Sequence, residues 1–145
     1  MERTYRSRFI RTGADSYGSE TRKDIPVEEK YQKFAEMGFS AIQFHDDDTI
    51  PNINDYTEEE IKEKARELKA TLDKYDLKAE FVAPRLWMDE RTADGGFMST
   101  SEKDREYAMW RAYRSIDIAN ELGTDLVVLW LAREGTLCAE SKSPV

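Results

Sequence analysis

A single cysteine, Cys138, and a single histidine, His45, stand in a chain of 145 residues. One thiol excludes both an intramolecular disulfide and a thiolate-built zinc site, and it fits a reducing cytoplasm. No apolar run approaches the roughly 20 residues of a membrane span, and Met1 to Arg11 is basic and polar where a secretory signal would be apolar. The expectation is a cytoplasmic protein, neither exported nor membrane-bound. Basic residues are in deficit, 22 lysines and arginines against 30 acidic residues, for a net charge of -8. That balance repels a phosphate backbone and an anionic lipid surface, which argues against nucleic acid and membrane as partners. Only 4 prolines and 7 glycines occur. No low-complexity linker divides the chain, which reads as one domain over residues 1–145.

What the chain does contain is an alternation of short apolar strings with helical segments, the pattern of an α/β fold. Arg8-Phe9-Ile10 reads as strand one, before a polar turn from Thr12 to Ser19. Pro26, followed by Val27, Tyr31, Phe34 and Gly38 at helical spacing, predicts a helix from Pro26 to Met37 closed by Gly38. Ala41 to Phe44 is a buried strand ending at His45 and the acidic run Asp46-Asp47-Asp48. Thr57 and Glu60 form a capping box, and Ile61, Ala65, Leu68 and Leu72 supply the apolar stripe of a helix to Tyr75. Lys78 to Val82 is strand three, followed by a long loop from Ala83 to Ser99 that carries Trp87. Thr100 or Ser101 caps a third helix whose stripe reads Ala108, Ala112, Ile116, Ala119 and Leu122, with Gly123 ending it. Asp125 to Trp130 is strand four, and Ser143-Pro144 suits the start of a fourth helix. The sum is (βα)3β.

His45 is the chain's one side chain that ordinarily exchanges a proton near neutral pH. It ends a buried strand, at the face where α/β barrels hold their active sites, with a carboxylate three residues on to fix its tautomer. A buried structural histidine is the plain alternative. The run Asp46 to Asp48 fails as an EF-hand loop, because Pro51 occupies the position that needs glycine. A capping turn remains open for it, above all for Asp46 and Asp47. Trp87 and Trp130 are either core or site walls. Arg133 and Glu134 read as an ion pair fixing their loop, and Trp110 reads as core or helix interface.

Four motifs stand in order along the chain. They are Ala14-Asp15-Ser16-Tyr17-Gly18 with Glu20-Thr21-Arg22, then Phe44-His45-Asp46-Asp47-Asp48-Thr49-Ile50-Pro51, then Asp94-Gly95-Gly96-Phe97, and Trp130 with Arg133-Glu134-Gly135. In this order and at these spacings the chain resembles the xylose isomerase family. The resemblance implies a (β/α)8 TIM barrel of which residues 1–145 cover about the first four strands and three helices, since a complete barrel needs about 250 residues. It implies a metal-dependent aldose–ketose isomerase acting on a small sugar, with His45 and Asp48 as the ring-opening pair. Trp87 and Trp130 would wall the hydride-shift site, and Tyr17 would reach a neighbouring subunit's pocket. Magnesium or manganese is expected for the complete barrel, with no metal ligand in this chain. A homo-oligomer or a partner chain would complete the barrel. The chain departs from the family pattern at Ala83-Pro84-Arg85, at Leu131-Ala132 in place of a glycine pair, at Trp87 in place of phenylalanine, and near Ile10, where a tryptophan is missing. Two other readings stand beside the isomerase: a non-catalytic half-barrel that assembles with another chain, and a related epimerase or endonuclease barrel, the endonuclease disfavoured by the acidic charge.

Overall fold

The computed structural model describes residues 6–7, 26–93, 95–131 and 134. Strand β1 (Arg6–Ser7) precedes helix α1 (Val27–Glu36), strand β2 (Ala41–His45) and the single turn α2 (Asp46–Thr49). Helix α3 (Glu58–Lys74), strand β3 (Lys78–Ala83) and helix α4 (Glu102–Leu122) follow. Three 3-10 turns, at Ile53–Asp55, Leu86–Met88 and Glu90–Thr92, shape the connections. Strand one thus pairs at residues 6–7, just ahead of the string at 8–10, which lies outside the described residues, as does Ser143-Pro144.

Each helix begins and ends on chemistry legible in its sequence. Pro26 serves as the N-cap of α1 rather than as its first residue, and Gly38, at φ +81°, turns the chain back toward β2. In α3 the Thr57 hydroxyl accepts from the Glu60 amide while Glu60 Oε2 accepts from the Thr57 amide at 2.8 Å. Ser101 caps α4, and Gly123 closes it at φ +77°.

The strands are parallel in the sequential order β1-β2-β3, with a bulge where Ile42 pairs with Ala79 and Gln43 with Phe81. Ile42 and Phe44 of β2 and Val82 of β3 share one buried core with Tyr31 of α1, Ile61, Ala65 and Leu72 of α3, and Ile118, Ala119 and Leu122 of α4. All three helices therefore cover the same face. On the other face Gln43 Nε2 donates to Glu80 Oε2 at 3.0 Å. Sequential parallel strands with helices on one side only are the winding of a barrel rather than of a doubly wound sheet.

The expected fourth strand is reduced to one parallel bridge, Val82 to Val127. The Val82 amide donates to Leu126 O at 3.1 Å, and the Val128 amide donates to Val82 O at 3.0 Å. Leu126, Leu129, Trp130 and Leu131 stay exposed, because among the described residues no strand lies beyond this one to cover them. The stripe of α4 also differs from its expected positions. Ile116 is exposed, and Arg111 is buried in the stripe. No helix among the described residues is long and apolar enough to cross a membrane.

The α3 cap gives a direct test. Thr57→Ala removes both hydroxyl contacts with Glu60 and should lower stability by about 1 kcal/mol, while Thr57→Ser should restore most of it. Urea midpoints of the three proteins check this.

Candidate active site

The C-terminal ends of β2 and β3 place the polar residues. β2 ends at His45, whose ring is buried, and the chain turns at once into α2, so Asp46, Asp47 and Asp48 fan out in one helical turn. Asp48 returns toward the histidine, its Oδ2 3.0 Å from His45 Nδ1. Trp87, on the turn after β3, sets its ring edge-on to the imidazole, with centroids 5.3 Å apart and planes at 84°. Three of the five residues singled out from the sequence therefore meet: His45, Asp48 and Trp87. Trp130 follows the Val127 bridge and is half exposed, and Tyr17 lies outside the described residues.

Two arginines complete the site, and neither was singled out. Arg85 follows β3, and its Nη2 bonds Asp48 Oδ2 and lies 2.8 Å from His45 Nδ1. Its backbone amide donates to Asp46 Oδ1 at 3.0 Å, and its Nε is 3.4 Å from Asp47 Oδ1. Arg111 reaches in from α4 and grips Asp46 with two bonds, Nε to Oδ2 at 2.6 Å and Nη2 to Oδ1 at 2.7 Å. Asp46, fully buried, is thus half of an ion pair, and its Oδ1 also accepts from the Asp47 amide in the turn at 2.9 Å. Arg111 Nη1 donates on to the Tyr107 hydroxyl at 2.7 Å, and that hydroxyl donates to Asp89 Oδ2 at 2.8 Å. Arg91 bonds Asp89 and lies over the Tyr107 ring. The visible signal for Arg85 was a charged residue directly after an apolar strand at its C-terminal end, at the departure Ala83-Pro84-Arg85.

The three aspartates differ in electrostatics. Burial alone would raise the Asp48 carboxyl, but its contacts with His45 and Arg85 hold it below its ordinary value. Asp47 goes the other way: burial, then the neighbouring Asp46 charge, push it up to about 6. Its Oδ1 takes no hydrogen bond among the described residues. It borders a polar cleft of about 170 Å³ with Asn52, Asn54, Arg85, Asp89 and Arg111. Glu134 accepts from the amides of Gly96, Phe97 and Met98 at 2.8, 2.7 and 2.9 Å, so it clamps the long loop through backbone. The expected partner, Arg133, lies outside the described residues.

Among the described residues no three histidine, cysteine, aspartate or glutamate side chains gather where they could hold a metal ion. Asp46 and Asp48 are engaged by Arg111, Arg85 and His45. The residues described here do not fit the divalent cation that the resemblance implies.

Residues 31–143 match the family described as xylose isomerase-like TIM barrel. A xylose isomerase from Thermus caldophilus is 32% identical over 123 residues, 85% of this chain and 31% of that protein. The chain spans about a third of the length of that curated relative. Among solved structures, an AP endonuclease, family 2, from Brucella melitensis aligns at 18% identity and a TM-score of 0.47, over 72% of this chain and 35% of that one.

Two stability measurements test the site's electrostatics. Asp46→Asn leaves Arg111 charged and buried without its partner, and should cost about 3–5 kcal/mol, whereas Asp46→Leu combined with Arg111→Met should recover only part of that loss, since the Arg85 amide still lacks its acceptor. For Asp47 the folded-state value lies above the ordinary carboxylate value, so the native state holds the extra proton. Its contribution is present at low pH and lost as pH rises from about 4 through about 6. Asp47→Asn should therefore stabilise the protein at neutral pH by on the order of 1–3 kcal/mol and flatten the slope across that window. Denaturation at a series of pH values reads both.

Proposed function

Because the chain belongs to the xylose isomerase-like TIM barrel family, we propose that it supplies the ring-opening part of a metal-dependent aldose–ketose isomerase. Residues 1–145 are read as the N-terminal part of that barrel. The observation that carries this reading is the buried contact of His45 with Asp48 at the C-terminal end of β2, 3.0 Å long. Opening a cyclic sugar breaks the bond between the anomeric carbon and the ring oxygen. The ring oxygen gains a proton and the anomeric hydroxyl loses one. An imidazole held in a fixed orientation serves either end of that exchange, as donor to the ring oxygen or as acceptor from the hydroxyl. Its tautomer decides which.

Trp87, edge-on to His45, suits a wall against the apolar face of a sugar. Trp130 and Tyr17 are assigned to the substrate as well, Trp130 as a second wall and Tyr17 toward a neighbouring subunit. The hydride shift that follows ring opening calls for a hard divalent cation, magnesium or manganese, held by several oxygen ligands. Those ligands are assigned to residues other than the ones described, in a longer chain, a partner polypeptide or a neighbouring copy.

The 145-residue chain alone should therefore convert neither glucose nor xylose to its ketose in magnesium, manganese or cobalt. Conversion should appear once the later strands are supplied, and His45→Asn should then lower kcat by about 10²–10⁴. A completed barrel without aldose–ketose conversion, or one in which His45→Asn keeps full kcat, defeats the assignment. Turnover by the isolated chain that vanishes in His45→Asn would instead mean that copies of it build the metal site together.

A further inference from the structure

The turn that carries Trp87 is tied together from within. The Thr92 hydroxyl bonds Leu86 O, and the Thr92 amide donates to Asp89 O at 3.2 Å. Arg91 reaches back to Asp89, its amide and Nε donating to Oδ1 at 3.0 and 2.9 Å and its Nη2 to Oδ2 at 2.8 Å. Residues 86–92 are therefore braced as one unit. Leu86 and Thr92 are buried at its ends, but Trp87 is half-buried and Met88 exposed, so burial holds the middle of the unit weakly. The Asp89 carboxylate ties that middle to other elements. Its Oδ2 accepts from the Tyr107 hydroxyl at 2.8 Å and from Asn54 Nδ2 at 3.3 Å.

Tyr107 is the fixed end of that tie. It stands on the 21-residue helix α4, its ring stacked with Trp110 at 6.1 Å and covered by the Arg91 guanidinium at 3.6 Å. Arg111, one helical turn further on, donates Nη1 to the hydroxyl at 2.7 Å. The oxygen is an acceptor there, which leaves its single hydrogen for Asp89 Oδ2 or for Asn54 Oδ1 at 2.9 Å. The carboxylate takes it, because an ionised acceptor binds a donor more strongly than an amide oxygen does. Arg111 is in turn gripped by Asp46, the residue after His45. The path from Asp46 through Arg111, Tyr107 and Asp89 to Trp87 thus starts beside the histidine in sequence and returns to it in space, where the two rings stand 5.3 Å apart.

We propose that Tyr107 is a positioning residue whose hydroxyl holds the Leu86–Thr92 turn, and through it the Trp87 ring, against His45. The inference rests on the reading of Trp87 as a wall for the sugar and adds what sets the distance of that wall from the ring-opening group. A shift of about 1 Å in such a wall is enough to misplace a bound substrate against the group that acts on it. Asn54 comes from the connection after β2 and Asp89 from the connection after β3. Both meet the same hydroxyl, so Tyr107 sets the two connections against each other as well as against α4.

Because His45 is the only histidine, its ring protons are unambiguous in the NMR spectrum of the 145-residue chain. Nuclear Overhauser contacts from them to the Trp87 indole protons, identified by their loss in Trp87→Phe, report the wall directly. Wild type should show these contacts. Tyr107→Phe keeps the ring and removes only the hydroxyl, so the contacts should fall severalfold while the amide signals of Ile61, Leu72 and Val82 in the core stay in place. Asp89→Ala cuts the same bond from its other side and should do likewise, and the double variant should lose no more than Asp89→Ala alone. Thr57→Ala, which weakens the protein at the remote cap of α3, should leave the contacts unchanged and so separates positioning from a general loss of stability. Undiminished contacts in Tyr107→Phe, an equal fall in Thr57→Ala, a further loss in the double variant, or their absence from wild type would overturn the proposal. Should Tyr107→Phe fail to fold, Asp89→Ala decides by the same criterion. No turnover enters the measurement, so the placement of Trp87 stands or falls apart from the isomerase reading.

Discussion

The buried pair of Asp46 and Arg111 is the constraint on which the site depends. It joins the end of β2 to the middle of α4 across 65 positions of sequence, with two bonds of 2.6 and 2.7 Å and both groups almost wholly hidden from water. Such a pair adds little net stability over an apolar pair of the same shape, because desolvation consumes most of the attraction. Its effect is geometric. Either charge left alone in the interior costs several kcal/mol, so any packing of α4 on the sheet that parts them is rejected. The same Asp46 oxygen receives the Arg85 amide, which ties the exit of β3 to the exit of β2. One carboxylate therefore fixes three elements, and His45, its immediate neighbour in the chain, inherits that fixity.

Three consecutive carboxylates in one turn repel one another, and the surroundings resolve the conflict unequally. Asp46 is met by Arg111, and Asp48 by Arg85 and His45. Among the described residues Asp47 has one ion-pair approach, the longer one of Arg85 Nε at 3.4 Å. Burial and the adjacent charge then favour its protonated form. The paired Asp48 touches the histidine, and the more weakly compensated Asp47 borders the cleft.

The elements were largely legible because each depends on local chemistry. The Thr57–Glu60 box, the apolar stripe of α3 and the glycine closing α4 are determined by neighbours within a few residues, and the structure keeps them. Periodicity misplaced the stripe of α4, where it counted Ile116 inward. The helix instead turns Arg111 into the core, and an arginine reads as solvent-facing until its partner 65 residues away is known. Arg85 escaped notice for the same reason, since its meaning lies in a triangle with residues of another strand. The approach of Asp48 to His45 was readable, because a spacing of three in a tight turn brings both side chains to one side. That Arg85 bonds the same carboxylate oxygen was not. Strand four was read from apolar content alone, which cannot reveal whether a second edge is paired.

A parallel strand is held by neighbours on both edges, and residues 126–131 meet the sheet only through the Val127 bridge to Val82. Glu134 provides a second attachment, independent of sheet pairing, by accepting three successive amides at Gly96, Phe97 and Met98. A side chain added at Gly96 would press on that carboxylate at 3.0 Å and on Ala108 at 3.2 Å, so the glycine is what lets the loop approach both. The segment carrying Trp130 is thus pinned at one end by β3 and at the other by the loop that begins with Arg85 and Trp87. The long loop, more than the sheet, connects the histidine to the fourth strand.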